Sequence, residues 1–182
     1  TLLRLVACLE QPTSGLLQTN GRQPIRVFQG DSTFPWLTVY GNVEYPLKLR
    51  GWSEKEREAA VVHQLGLVGL SRFAEAYPYQ LSGGMKQRVA LARAWVSDPE
   101  VLLMDEPFGA LDEQTRVALQ AELLRLWEGA QQPGSPTARK TVLFVTHAID
   151  EALALADRVL VMSSAQGRII LEVRVPFARP RD

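Results

Sequence analysis

The chain has 182 residues, enough for one α/β domain with a buried core. Its 20 Lys and Arg balance 20 Asp and Glu, which argues against a nucleic-acid partner or a strongly anionic surface. Cys8 is its single cysteine, so an internal disulfide is excluded and a reducing compartment is expected. No stretch reaches the ~20 apolar residues that span a bilayer and no signal-peptide pattern is read, so any link to a membrane is expected to run through a partner.

Residues 1–9 read as a helix with no cap before it, and Cys8 in that apolar run is expected to be a small core residue rather than a reactive thiol. A turn at 11–15 ends the helix. Residues 25–29 read as a short strand ending in the amide Gln29. Phe34, Pro35, Trp36, Leu37 and Tyr40 then crowd large apolar groups into one loop, which suits either a partner contact or burial of Trp36 within the domain. Val39 and Val43 at helical spacing fit a core. Ser53 with Glu56 three residues on is a capping box, opening a helix to about Gly66. His63 lies inside it with no second His or carboxylate close in sequence, and is read as structural or solvated. Residues 67–79 form an irregular helical piece, with Pro78 near its end.

Residues 81–112 carry three chemical devices in a fixed order. Ser82-Gly83-Gly84 opens a helix, whose first-turn N–H groups form an anion site approachable through the glycines. The apolar run 101–104 fits a buried parallel strand and ends in Asp105-Glu106-Pro107. Ligands bind at such carboxyl ends, where one carboxylate suits Mg²⁺ and its neighbour suits activation of water. Gly109-Ala110-Leu111-Asp112 makes a short loop. A helix follows, with Val117, Ala121 and Leu124 beside Leu119, Leu123 and Leu126 as a broad face to bury. The loop at 129–140 leads to a second buried strand at 141–146, with His147 at its end and Asp150 and Glu151 opening a helix to Ala156. Two strands, 157–162 and 168–175, close the chain around a turn at Gln166-Gly167.

Alone, Ser-Gly-Gly is a turn and Asp-Glu after a strand is a solvated loop. In this order, Leu81 to Arg88 resembles the signature motif of ATP-binding-cassette (ABC) ATPases, 101–107 their Walker B strand, and Ala110-Leu111-Asp112 their D-loop. Thr146-His147-Ala148 with Asp150-Glu151-Ala152 resembles their H-loop, and the segment ending at Gln29 their Q-loop. The stretch after Gln29 looks like the bacterial importer ATPases that serve nitrate, sulfonate or taurine.

The resemblance implies an α/β P-loop NTPase fold with a mostly parallel sheet, a helical subdomain at about 36–96, and 1–35 and 97–182 as parts of the RecA-like core. It implies ATP and Mg²⁺ as ligands: Asp105 and Gln29 for the metal, Glu106 as general base, His147 on the γ-phosphate, Gln29 orienting water. Ser82, Gly83, Gly84 and Asp112 would serve a nucleotide shared with a second copy, so a homodimer is implied. Membrane permease subunits, and through them a substrate-binding protein, are the further partners, at the cytoplasmic face of the inner membrane. The P-loop G-x-x-x-x-G-K-[ST] has no counterpart in these residues. The chain is therefore expected to be a piece, cut at both ends and inactive alone. A non-transport ABC ATPase and a non-catalytic fragment remain alternatives; the ~50 residues between Gln29 and Ser82 leave no room for a long heptad coiled coil.

Overall fold

The run Val101–Asp105 forms β2, the middle strand of a three-stranded parallel sheet ordered β1-β2-β3, with Ile25–Val27 as β1 and Thr141–Val145 as β3. Ile25 pairs with Leu102 and Val27 with Met104 on one side; Leu103 pairs with Leu143 and Asp105 with Val145 on the other. This computed structural model describes residues 2–18, 24–28, 32–109, 111–129, 141–165, 167–179 and 181. Parallel neighbours need crossovers, which here are helical. Between β1 and β2 run α2 (Val39–Leu49), α3 (Glu54–Leu67), two short 3₁₀ turns and α4 (Gly83–Trp95); between β2 and β3 runs α5 (Glu113–Gly129). The short helix α1 (Leu2–Val6) precedes β1. After β3 come α6 (Ile149–Leu155) and an antiparallel pair, β4 (Arg158–Met162) with β5 (Ile169–Arg174), a sheet of its own.

One core serves the parallel sheet and the helices. Val39, Val43 and Leu47 of α2, Val61 and Leu65 of α3, and Val89, Leu91 and Ala92 of α4 are buried together with Leu102, Met104 and Phe108. Each such Val, Leu, Met or Phe side chain contributes about 1.5–3 kcal/mol on burial. Ser53 caps α3 through the expected box, its side chain and that of Glu56 serving each other's backbone N–H groups. Asn42 is a fully buried hub: Oδ1 accepts from Phe34 N–H at 2.7 Å, and Nδ2 donates toward the carbonyls of Phe34, Leu37 and Thr38 at 2.9–3.1 Å. It pins the aromatic loop to α2.

The structure departs from the sequence reading in four places. Cys8 is exposed in a left-handed turn (φ 57) past a helix that has already ended at Val6, so it is no core residue. The strand at 141–145 is half-buried rather than buried, because it is the edge of the described parallel sheet. Among the described side chains of α5, Leu119 and Leu123 are buried whereas Val117 is 55% exposed, so the face to bury is narrower than expected. Tyr40 turns inward against the core instead of joining Trp36 outside, and burial followed by the nearby Glu44 charge raises its phenol above the usual value. His63 is exposed, as expected of a solvated residue. Gln29, Ala110, residues 130–140 of the loop and Gln166 lie outside the described residues.

Candidate functional site

Asp105 and Glu106 stand at the carboxyl end of β2, flanked by the ends of β1 and β3. Pro107 follows and cannot extend the ladder. Glu106 still donates its N–H to Val145 O at 2.9 Å, yet its φ of 46 has left the strand conformation. A non-glycine residue at positive φ is held there by its surroundings, and such strain gathers at functional sites. The two carboxylates consequently diverge. Asp105 Oδ2 accepts from Arg26 Nη2 at 2.8 Å; Glu106 Oε2 lies 3.4 Å from His147 Nδ1, at the end of β3.

Arg26 was not foreseen as part of the site. It pairs in register with Leu103, so its side chain shares a face with Leu103 and, one alternation further, Asp105. Its guanidinium also covers the Phe28 ring at 4.6 Å. The signal available in the sequence was a lone Arg in an otherwise apolar strand.

Ser82, Gly83 and Gly84 begin α4 as expected. Ser82 Oγ accepts from Met85 N–H at 3.3 Å, and the start of the helix is exposed. At Gly83 a methyl group would meet nothing within 4 Å, whereas at Gly84 it would stand 3.2 Å from the Leu111 side chain. Gly84 therefore permits close approach of the loop that ends in Asp112. Asp112 caps α5: its Oδ1 accepts from Thr115 N–H at 2.9 Å, and the Thr115 backbone and then its hydroxyl hold the carboxyl below its usual range. The site residues thus fall into two groups. Asp105, Glu106 and His147 stand at the sheet end, with Glu106 facing His147, while Gly84 approaches Leu111 of the Leu111–Asp112 loop.

Among the described residues no three His, Cys, Asp or Glu side chains cluster to cage a metal. Mg²⁺ is commonly held by one or two carboxylates together with substrate phosphates, so the hard oxygens of Asp105 and Glu106 fit such an ion. An exposed helix start with bare glycines fits an anion.

Comparison with known proteins places the chain in a family. The family model described as ABC transporter matches residues 1–109. An uncharacterized ABC transporter ATP-binding protein of Methanocaldococcus jannaschii is 47% identical over all of this chain and 68% of its own length. The nitrate import ATP-binding protein NrtD of Synechocystis is 47% identical over 96% of this chain and 65% of its own, and the taurine import ATP-binding protein TauB of Rhizobium johnstonii 45% identical over 98% and 68%. The chain thus spans about two thirds of the length of these relatives. Among solved structures, a dimeric ATP-binding cassette in a post-hydrolysis state with ADP and Pi superposes with a TM-score of 0.79 at 31% identity, over 97% of this chain and 80% of that one.

Proposed function

This chain belongs to the ABC transporter family, and from that premise we propose that it forms most of an ATP-binding subunit whose ATP hydrolysis drives import of a small anion such as nitrate, sulfonate or taurine. The observation that carries the reading is the divergent carboxylate pair at the end of β2, one oxygen facing His147 Nδ1 at 3.4 Å. The import ATP-binding proteins for nitrate and taurine among the relatives support the substrate class.

Phosphoryl transfer is mainly positioning and charge neutralisation. Glu106, on a backbone turned away from the strand, accepts a proton from the attacking water, and His147 beside it faces the γ-phosphate. Asp105 would hold a Mg²⁺ ion, which when bound would supply neutralisation of the phosphate charge. Gln29, assigned to orient the water, completes the set. Ser82 and Gly83 are exposed at the start of α4, so this helix start serves the nucleotide of a second copy, and a two-fold dimer is part of the mechanism. The dimeric cassette among the structural relatives supports that assembly.

No described helix is long and apolar enough to cross a membrane. Coupling to transport then requires a permease at the cytoplasmic face of the membrane, and through it a substrate-binding protein. Its seat is a groove of about 270 Å³ between β1, α2 and α4, lined by Phe34, Tyr45, Pro46, Leu49 and Arg93 at the edge of the helical region 36–96. Trp36, 70% exposed, stacks on Phe34 beside it, with ring centroids 5.5 Å apart.

The test is made in the protein that carries this chain together with its phosphate-binding loop. Glu106→Gln keeps nucleotide binding and loses ~10²–10⁴-fold in turnover. Hydrolysis near the unmodified rate in that variant removes Glu106 from the role.

A further inference from the structure

Most of the His147 side chain is in solvent, at 77% exposure, and yet Nδ1 faces Glu106. A ring so exposed keeps one orientation only if the backbone beneath it is fixed, because free rotamers are favoured by entropy. The residue before it supplies the fixture. Thr146 Oγ1 accepts from Ala148 N–H at 3.0 Å and donates to Glu151 Oε2 at 2.7 Å, two bonds that straddle His147 and tie it to α6. Glu151 is itself buried, at 7% exposure, and its other oxygen faces Arg116 Nε at 3.8 Å. A buried carboxylate stripped of its counter-charge is strongly destabilising. Arg116 is anchored in turn on α5, by an ion pair with Glu113 at 3.0 Å and by Nη2 donating to Leu111 O at 3.4 Å. Leu111 is the residue that Gly84 admits at close range.

A continuous set of polar contacts therefore runs from the Leu111–Asp112 loop to both sides of His147. We propose that Arg116, Glu151 and Thr146 are positioning residues that hold the His147 ring with Nδ1 toward Glu106 and tie its placement to the Leu111–Asp112 loop. None of the three touches the reacting atoms. Movement of the loop where Gly84 packs is passed to the imidazole beside the proposed base. The catalytic meaning of that link rests on the hydrolytic reading of His147 given above.

The measurement needs no nucleotide, so its failure is separate from failure of that reading. In the protein that carries this chain, the His147 signals are assigned by their loss in a His147→Gln variant, and His63, exposed on α3, serves as internal reference. Long-range ¹H–¹⁵N spectra report which nitrogen of each ring carries the proton. In the unmodified chain His147 is expected mainly as the Nδ1–H tautomer and His63 as the mixture of a free imidazole. Thr146→Val and Glu151→Gln shift His147 to the His63 pattern, and Thr146→Ser restores it. Arg116→Met, at the far end, moves His147 in the same direction. Circular dichroism identifies any variant that fails to fold; Thr146→Val, which conserves volume, still carries the comparison if Glu151→Gln does not fold. The proposal is overturned if His147 already matches His63 in the unmodified chain, or if it keeps its Nδ1–H form in a folded Thr146→Val variant.

Discussion

At the scale of single residues, two buried polar side chains define what the fold tolerates. Asn42 has both kinds of partner: Oδ1 accepts from Phe34 N–H and from Arg93 Nη1, and three carbonyls surround Nδ2. Replacing it with Ala leaves several buried groups unpaired, at about 1–3 kcal/mol each, so Asn42→Ala is expected to lose about 3 kcal/mol or more in urea unfolding. Asn42→Asp should not rescue it, because a carboxylate cannot donate to those carbonyls. A loss below about 1 kcal/mol in Asn42→Ala contradicts the hub. Glu44 is the charged counterpart. Burial acts to raise its carboxyl, but hydrogen bonds from Lys48 and Arg57 and their charges outweigh it, and the carboxyl lies below its ordinary value of 4.5. The unfolded chain then binds the proton at a higher pH than the folded one. Stability from Glu44 is present above about pH 4.5 and is lost as pH falls through the lowered folded value. Glu44→Gln is expected to flatten the acid limb of the stability profile; an unchanged slope between about pH 5 and 3 denies Glu44 that share.

Among the elements, α5 shows how periodicity overstates a buried face. The face to bury is narrower than expected: Leu119 and Leu123 are 4% and 7% exposed, Val117 is 55% exposed. Leu123→Ala is expected to cost about 2–5 kcal/mol by the loss of burial and the cavity left behind. Val117→Ala should stay within about 0.5 kcal/mol, as surface changes do. Comparable losses at both positions in denaturant titrations would show that the helix is buried on both sides. Capping was legible in part. The Ser53–Glu56 box and the helix opening at Ser82 appear where the sequence puts them, because a cap is a contact over three residues, whereas the caps Thr38 before α2 and Asp112 before α5 were read only as loop residues.

For the whole molecule, the aromatic loop after β1 is the feature that points outward. Trp36 is solvent-exposed and rests on Phe34, which in turn meets Tyr45 edge-on and lies under Arg93. An indole so placed adds little to the stability of this chain, while aromatic anchors dominate interfaces. Trp36→Ala is therefore expected to leave the urea midpoint unchanged and to weaken co-purification of the full-length protein with its permease. Assembly and transport at unmodified levels in that variant would remove Trp36 from the interface, and an unfolded variant would place the ring in the core.

Local pattern alone indicated the α/β class, the order of strands from β1 to β5 with most of the helices between them (α2 excepted), and the two candidate loops at 82–84 and 105–106. These depend on apolar runs, caps and turn residues that act over a few positions. The site's members on separate elements were legible one at a time, Glu106 on β2 and His147 after β3, without their approach to 3.4 Å. Only the tertiary structure decided which partners met across long separations: Arg26 with Asp105, Arg116 with Glu151, Asn42 with a loop that folds back on it. It also decided that Cys8 is outside, that Tyr40 packs half-buried against the core, and that β3 is at an edge of the described sheet. Those outcomes follow from strand register and from which helix side the sheet covers. Both are set by the packing of distant segments, and a period of two or 3.6 along one segment does not encode them.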